Sequence, residues 1–360
     1  MEFAFNRSPY WLGDADNSYL ESREDYVMKP DLHERPNSIF TGPVLWALDL
    51  NEVSDEVILK SEAFLSTLLA HQPVPVYIAF VERERDLLEL YYGENNKVKE
   101  KQKRLVERID FLFQTSKLVI QKQISEVLGI GNGSDEEAQS LIKFATSLSA
   151  SLIFVGNDSS AWLKHFLKGS FPEILMAKSP IPVLVMGSQA RPALKIRKIL
   201  VPTEFTIEDH QIFMDAIEFA KALDAKLELF HGVYDESKVN LDFSGPSTQK
   251  YILNGESVDF YAYRAALVKE KTDQAAEWVR KANFHGVDTS YEVTLVPDTS
   301  MDILDDEVKK FDPDLIIMET RSSAFKARFL GSVTKHLVRK ADCPVLVYSH
   351  THFKNRKVRL

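Results

Sequence analysis

At 360 residues the chain is long enough for two domains of ordinary size, each with a real core. Hydrophobic residues at 44% and charged residues at 27% are ordinary for a soluble globular protein. A net charge of -9 argues against a general nucleic-acid or anionic-membrane binder.

Residues 1–40 carry Pro9, Pro30 and Pro36 without sustained periodicity and read as an irregular arm. No basic start followed by an apolar run is visible there, so no signal peptide is expected. An apolar stretch, 43–50 (PVLWALDL), then reads as a buried strand ending in Asp49. Ser54 is a good N-cap for a helix that runs through His71 with apolar residues at helical spacing. A second strand is predicted at 75–81, a charged helix at 95–116 and a third strand at 118–124. Turn glycines and Ser134 open another helix, and 152–155 (LIFV) is the fourth strand. A loop opening on Gly156, a turn at Gly169-Ser170, a short helix and an apolar strand at 182–186 complete the unit.

The same order returns after a linker containing Pro192. Strands are predicted at 198–203, 226–233, 290–296 and 315–318, and helices at 209–223, 258–282 and 301–311. An insertion with Gly245, Pro246 and Gly255 follows the second of these strands. Gly331-Ser332 follows Gly169-Ser170 by 162 residues, and Pro344 follows Pro182 by the same offset. The chain is a tandem duplication. Its organisation reads as an arm (1–40), copy one (41–187), a linker (188–196), copy two (197–350) and a basic tail (351–360), solvated by default.

Strand and helix alternate, and the strands are continuous apolar runs. That predicts an α/β fold of two tandem domains, each an open five-stranded parallel sheet with helices on both faces. In such a sheet, ligands bind beyond the carboxyl ends of the strands where strand order reverses. Asp49 and Gly156 would meet there in copy one, and Gly169-Ser170 would open a helix whose free N–H groups can hold a phosphate. Glycine and serine also make an ordinary tight turn and helix cap, so these residues alone leave both readings open.

These residues resemble the universal stress proteins, specifically the tandem two-domain form. In that family the loop after strand four reads G-x2-G-x9-G-[ST], and an aspartate ends strand one. The resemblance spans about 40–187 and 195–350. It implies ATP, with Mg2+, in copy one: Gly156, Ser159, Gly169 and Ser170 at the phosphates and Asp49 on the adenosine side. Ser159 stands where the family has its middle glycine, and its β-carbon is costly if a phosphate must touch the backbone. Gly331 and Ser332 are the copy-two counterparts. There, however, Glu319 falls at the first glycine, the loop is one residue shorter and Glu204 replaces the aspartate. Copy two is therefore expected not to bind ATP in the family manner. The resemblance also implies that the last strands of the two copies, both PVLV, pair to join the domains as a pseudo-dimer.

No nucleophile–base constellation, Walker A sequence, HExxH motif or Rossmann fingerprint is present, so a binding or regulatory module is expected rather than an enzyme. No metal site is assigned. His350 and His352 alternate as a metal pair could, though such terminal histidines are ordinarily adventitious, and a Glu319–Arg321 ion pair would fill the second site. Two alternatives stay open: a nucleotide-free scaffold for a protein or another small molecule, and a weak ATPase. Self-association through a further surface is compatible with either. Apolar runs too short for a bilayer, together with the lone Cys343, point to a cytoplasmic protein in which that thiol is a small buried hydrophobe.

Overall fold

In the first copy the chain forms β1 (Val44–Ala47), α1 (Asp55–Leu68), β2 (Pro75–Arg83), α2 (Asn96–Leu112), β3 (Val119–Ile120), β4 (Ser125–Gly129), α3 (Ser134–Ser147), β5 (Leu152–Gly156), α4 (Phe171–Lys178) and β6 (Val183–Met186). The second copy forms β7 (Lys198–Pro202), α5 (Ile207–Leu223), β8 (Lys226–Tyr234), β9 (Tyr251–Leu253), β10 (Glu256–Val258), α6 (Phe260–Phe284), β11 (Thr289–Val296), α7 (Asp302–Phe311), β12 (Leu315–Glu319), α8 (Ser332–Lys340) and β13 (Val345–Tyr348). This is a computed structural model, and it describes residues 39–48, 54–83, 96–121, 125–129, 134–156, 171–187, 189–191, 193–234, 251–253, 256–296, 301–320 and 331–352.

Local chemistry explains the helix starts. Ser54 caps α1, its hydroxyl accepting from Val57 N at 3.4 Å, and Asp55 and Glu56 complement the helix dipole. Thr206 and Asp209 form a reciprocal capping box at α5, so that helix begins two residues before the sequence expectation. Asp259 caps α6, accepting from Ala262 N at 2.8 Å. The long helix therefore starts after Val258, which belongs instead to the β9–β10 hairpin. The third strand is also corrected: β3 pairs with the start of β2, and β4 pairs with its far end, extending the strand region past residue 124 to Gly129.

The strands form an 11-stranded sheet in the order β11-β8-β7-β12-β13-β6-β5-β1-β2-β3, with β4 also on β2. Within each copy's part of this sheet the pairing is parallel, and β9 and β10 form a separate antiparallel pair. The copies join through β6 and β13, which pair antiparallel with Leu184 opposite Leu346. Strands β1, β5, β6 and β13 are buried along their whole length, as apolar runs covered on both faces must be.

Alternation then divides the core into two layers. Trp46, Phe154, Leu184, Val201, Leu229, Ile317 and Leu346 face one side, with Phe64 of α1 and Phe213 of α5. Leu45, Ile153, Val185, Leu200, Ile316 and Val347 face the other, with Leu141 of α3 and Leu175 of α4. Each layer runs without a break through both copies, and Ser38–Leu360 is one compact unit. Cys343 is buried in the second layer, and burial raises its thiol pKa far above the ordinary value.

Candidate functional site

Strand order reverses beside the first strand of each copy. From β1 the chain moves outward through β2 to β3 and β4, then returns to β5 on the other flank of β1. From β7 it moves outward through β8 to β11 and returns to β12. Each reversal leaves a crevice at the C-terminal ends of the central strands. In copy two the β7–β12 ladder holds only the pairs Ile199–Leu315 and Leu200–Ile316, so the strands part before those ends.

Of the copy-one candidates, Asp49, Ser159, Gly169 and Ser170 lie outside the described residues. Gly156 ends β5, one strand from where β1 runs out. A β-carbon on Gly156 would stand 2.3 Å from Ser61 Oγ and 3.2 Å from Ser61 Cβ. The close crossing of α1 over β5 thus favours glycine here, whatever the loop beyond it holds. Ser61 is buried, and its hydroxyl has no hydrogen-bond partner.

Copy two is described more fully, and its turn after β7 is occupied by its own groups. The buried Asp209 carboxylate accepts from Glu204 N at 2.9 Å and Thr206 N at 3.1 Å. Two backbone donors at the crevice are thereby committed to an internal anion. Lys271 Nζ donates to Glu204 O at 2.9 Å. Between these residues Phe205 takes a φ of 63°, a left-handed conformation that costs a bulky residue about 1–2 kcal/mol. Aromatic contacts hold it there: its ring lies 5.1 Å from Trp278, edge to face, and 5.6 Å from His231. His231 is buried with Nδ1 2.6 Å from Thr203 O, so Nδ1 carries the proton and donates. Burial lowers its pKa against the opposing Thr203 hydrogen bond, and the Lys271 charge adds to the lowering while Asp209 resists it. The neutral ring is thereby favoured.

Glu319 occupies the copy-two counterpart of Gly156. Gly156 pairs with Met186 and Glu319 with Tyr348, and those partners lie 162 residues apart. The Glu319 side chain is 7% exposed, which sets a buried carboxyl group at the end of β12, and its Oε1 lies 3.9 Å from His350 Nδ1. Arg321, its expected partner, lies outside the described residues. Gly331 is the N-cap of α8 with a φ of -60°, which any residue can adopt, and Ser332 begins the helix. Thr334 Oγ1 donates to Glu319 O at 3.4 Å, bringing this helix start against the end of β12.

The two terminal histidines do not act together. His350 approaches Glu319, whereas His352 Nδ1 lies 2.8 Å from Pro180 O of the other copy. No cluster of three or more metal-ligating side chains occurs among the described residues. Sequence reasoning passed over Asp209, His231, Phe205 and Trp278. The T-x-x-D spacing of Thr206 and Asp209 was a readable capping-box signal; the aromatic cluster had none, because its members come from distant elements.

A family model described as the universal stress protein family matches residues 42–187 and 195–349. Among solved structures, a universal stress protein from Archaeoglobus fulgidus is similar in fold, with a TM-score of 0.59 and 15% identity, over 87% of this chain and 98% of that one. A functionally unknown protein from Pseudomonas aeruginosa PAO1 is similar with a TM-score of 0.53 and 10% identity, over 88% of this chain and 97% of that one. No curated protein sequence matches the chain. None of the helices described is long and apolar enough to cross a membrane.

Proposed function

The chain belongs to the universal stress protein family, and from that premise we propose a cytoplasmic stress-response binding module whose first copy takes an adenine nucleotide with Mg2+. The observation that carries this reading is that Glu319 stands in copy two where copy one has Gly156. In copy two the turn donors Glu204 N and Thr206 N serve Asp209, and Glu319 sets a carboxylate where phosphates would lie. An anionic ligand does not fit there, because it would find its donors occupied and a like charge beneath it. Copy one keeps Gly156 at the corresponding place. In this reading Gly169 and Ser170, which precede α4, hold the phosphates with Gly156 and Ser159, and Asp49 lies on the adenosine side. Mg2+ would neutralise phosphate charge.

Calorimetric titration of ATP with Mg2+ into the full chain tests this, after mass spectrometry for nucleotide carried through purification. The expected result is one site per chain with micromolar affinity, about -8 kcal/mol, abolished by Gly169→Asp. Two equivalent sites, or none with no carried nucleotide, would reject the assignment. The self-occupied turn of copy two favours a second reading, a nucleotide-free scaffold for a protein or another small molecule. A stable partner retained by Gly169→Asp would support it.

A further inference from the structure

The two copies meet about a local two-fold axis, so positions 162 residues apart approach one another near it. Leu184 and Leu346 are such counterparts, and they stand opposite each other in the antiparallel β6–β13 ladder. Glu173 on α4 and Lys335 on α8 are also counterparts at that offset, and they touch. Lys335 Nζ lies 2.5 Å from Glu173 Oε1, a charge contact rather than an aligned hydrogen bond. The Glu173 side chain is 0% exposed and that of Lys335 28%, so water screens this pair far less than a surface pair.

In a symmetric association a residue beside the axis meets its own copy. Copy one against a second copy one would bury Glu173 beside Glu173, and copy two against a second copy two would set Lys335 beside Lys335. Like charges would then face each other across the axis at a site where water screens them weakly. The strands cannot make this distinction. β6 is VLVM and β13 is VLVY, and an apolar edge of either kind pairs with itself as readily as with the other. The exposed rim pair Arg191–Asp342, at 2.7 Å, adds little.

We propose that Glu173 and Lys335 form a charge code at the local axis, which makes the edge of copy one accept copy two and reject a second copy one, and likewise for copy two. Such a repulsive element is what two near-identical edges need to pair in one combination only.

Full-length chains test the code. Glu173→Lys places two lysines at the axis and Lys335→Glu two glutamates, and each is expected to lower Tm by about 5 °C or more. The reversed double variant is expected to recover most of that loss. The decisive arm co-expresses the two single variants with different tags. Opposite charges are then available only between chains, so a 1:1 mixed dimer should appear in native mass spectrometry, whereas two tagged wild-type chains stay unmixed. Should either single variant be insoluble alone, the reversed double variant and the co-expressed pair are both expected to be soluble and still report. Single variants that melt with the wild type, or a double variant no better than the singles, would overturn the code. So would co-expressed variants that fail to mix, since the pair would then stabilise the joint without selecting it.

Discussion

Near the outer edge of copy two, Glu228 of β8 and Glu307 of α7 are both buried, and their carboxyl groups face each other. Ser290 Oγ donates to Glu228 Oε2 at 3.0 Å, and Lys310 Nζ lies 3.2 Å from both Glu307 Oε2 and Glu292 Oε2. Burial pushes Glu228 up to about 7, and the Glu307 carboxyl reinforces this against the opposing pull of Ser290 and Lys310. The folded chain therefore holds a proton here that the unfolded chain releases near pH 4.5. Stability from this group is complete below that value and disappears as pH rises through about 7. Glu228→Gln keeps the neutral form at every pH, so its Tm at pH 8 should exceed the wild-type value by about 2–4 °C, with little difference at pH 4.5. Thermal melts of the two chains at both pH values decide it, and parallel curves would refute the retained proton on Glu228.

Packing of α1 on β5 gives the first loop glycine a purpose at the scale of elements. The β-carbon of Gly156→Ala would collide with Ser61, and overpacking of this kind costs about 1–3 kcal/mol. Ser61 Oγ, buried and without a partner, gains nothing from its polarity, so Ser61→Ala should be neutral or stabilising. The double variant Gly156→Ala/Ser61→Ala should recover part of the loss, because the 2.3 Å contact disappears and the 3.2 Å contact remains. Denaturant unfolding of the three variants measures this, and strictly additive effects would show that the two side chains do not meet.

Both apolar layers pass through the β6–β13 joint, and contacts beyond it reinforce the union. Phe40, just ahead of copy one, stacks edge to face on Phe219 of copy two at 5.8 Å, and Ser349 Oγ donates to Ser179 O of copy one. Residues of both copies share each apolar layer. Calorimetry should therefore record one unfolding transition, with Trp46 of copy one and Trp278 of copy two reporting the same midpoint. Two separated transitions would mean that the copies unfold as independent units.

Alternation of strand and helix, the duplication at a fixed offset, and the Ser54 cap were legible because each depends on neighbours in the chain. Apolar runs of four or five residues declared strands buried on both faces, and those strands form the centre of the sheet. Ser125–Gly129 lacks an unbroken apolar run, so it is not legible as a strand, and its pairing with β2 supplies what composition does not. At the crevices, sequence registered Glu319 as an anion out of place, and strand register confirmed its correspondence to Gly156. It could not show that Asp209 draws in the turn donors or that Phe205 is held against Trp278. Nor could it show that Glu173 meets Lys335. Those contacts join residues from separate elements, and only the closing of one sheet around a local axis brings them within reach.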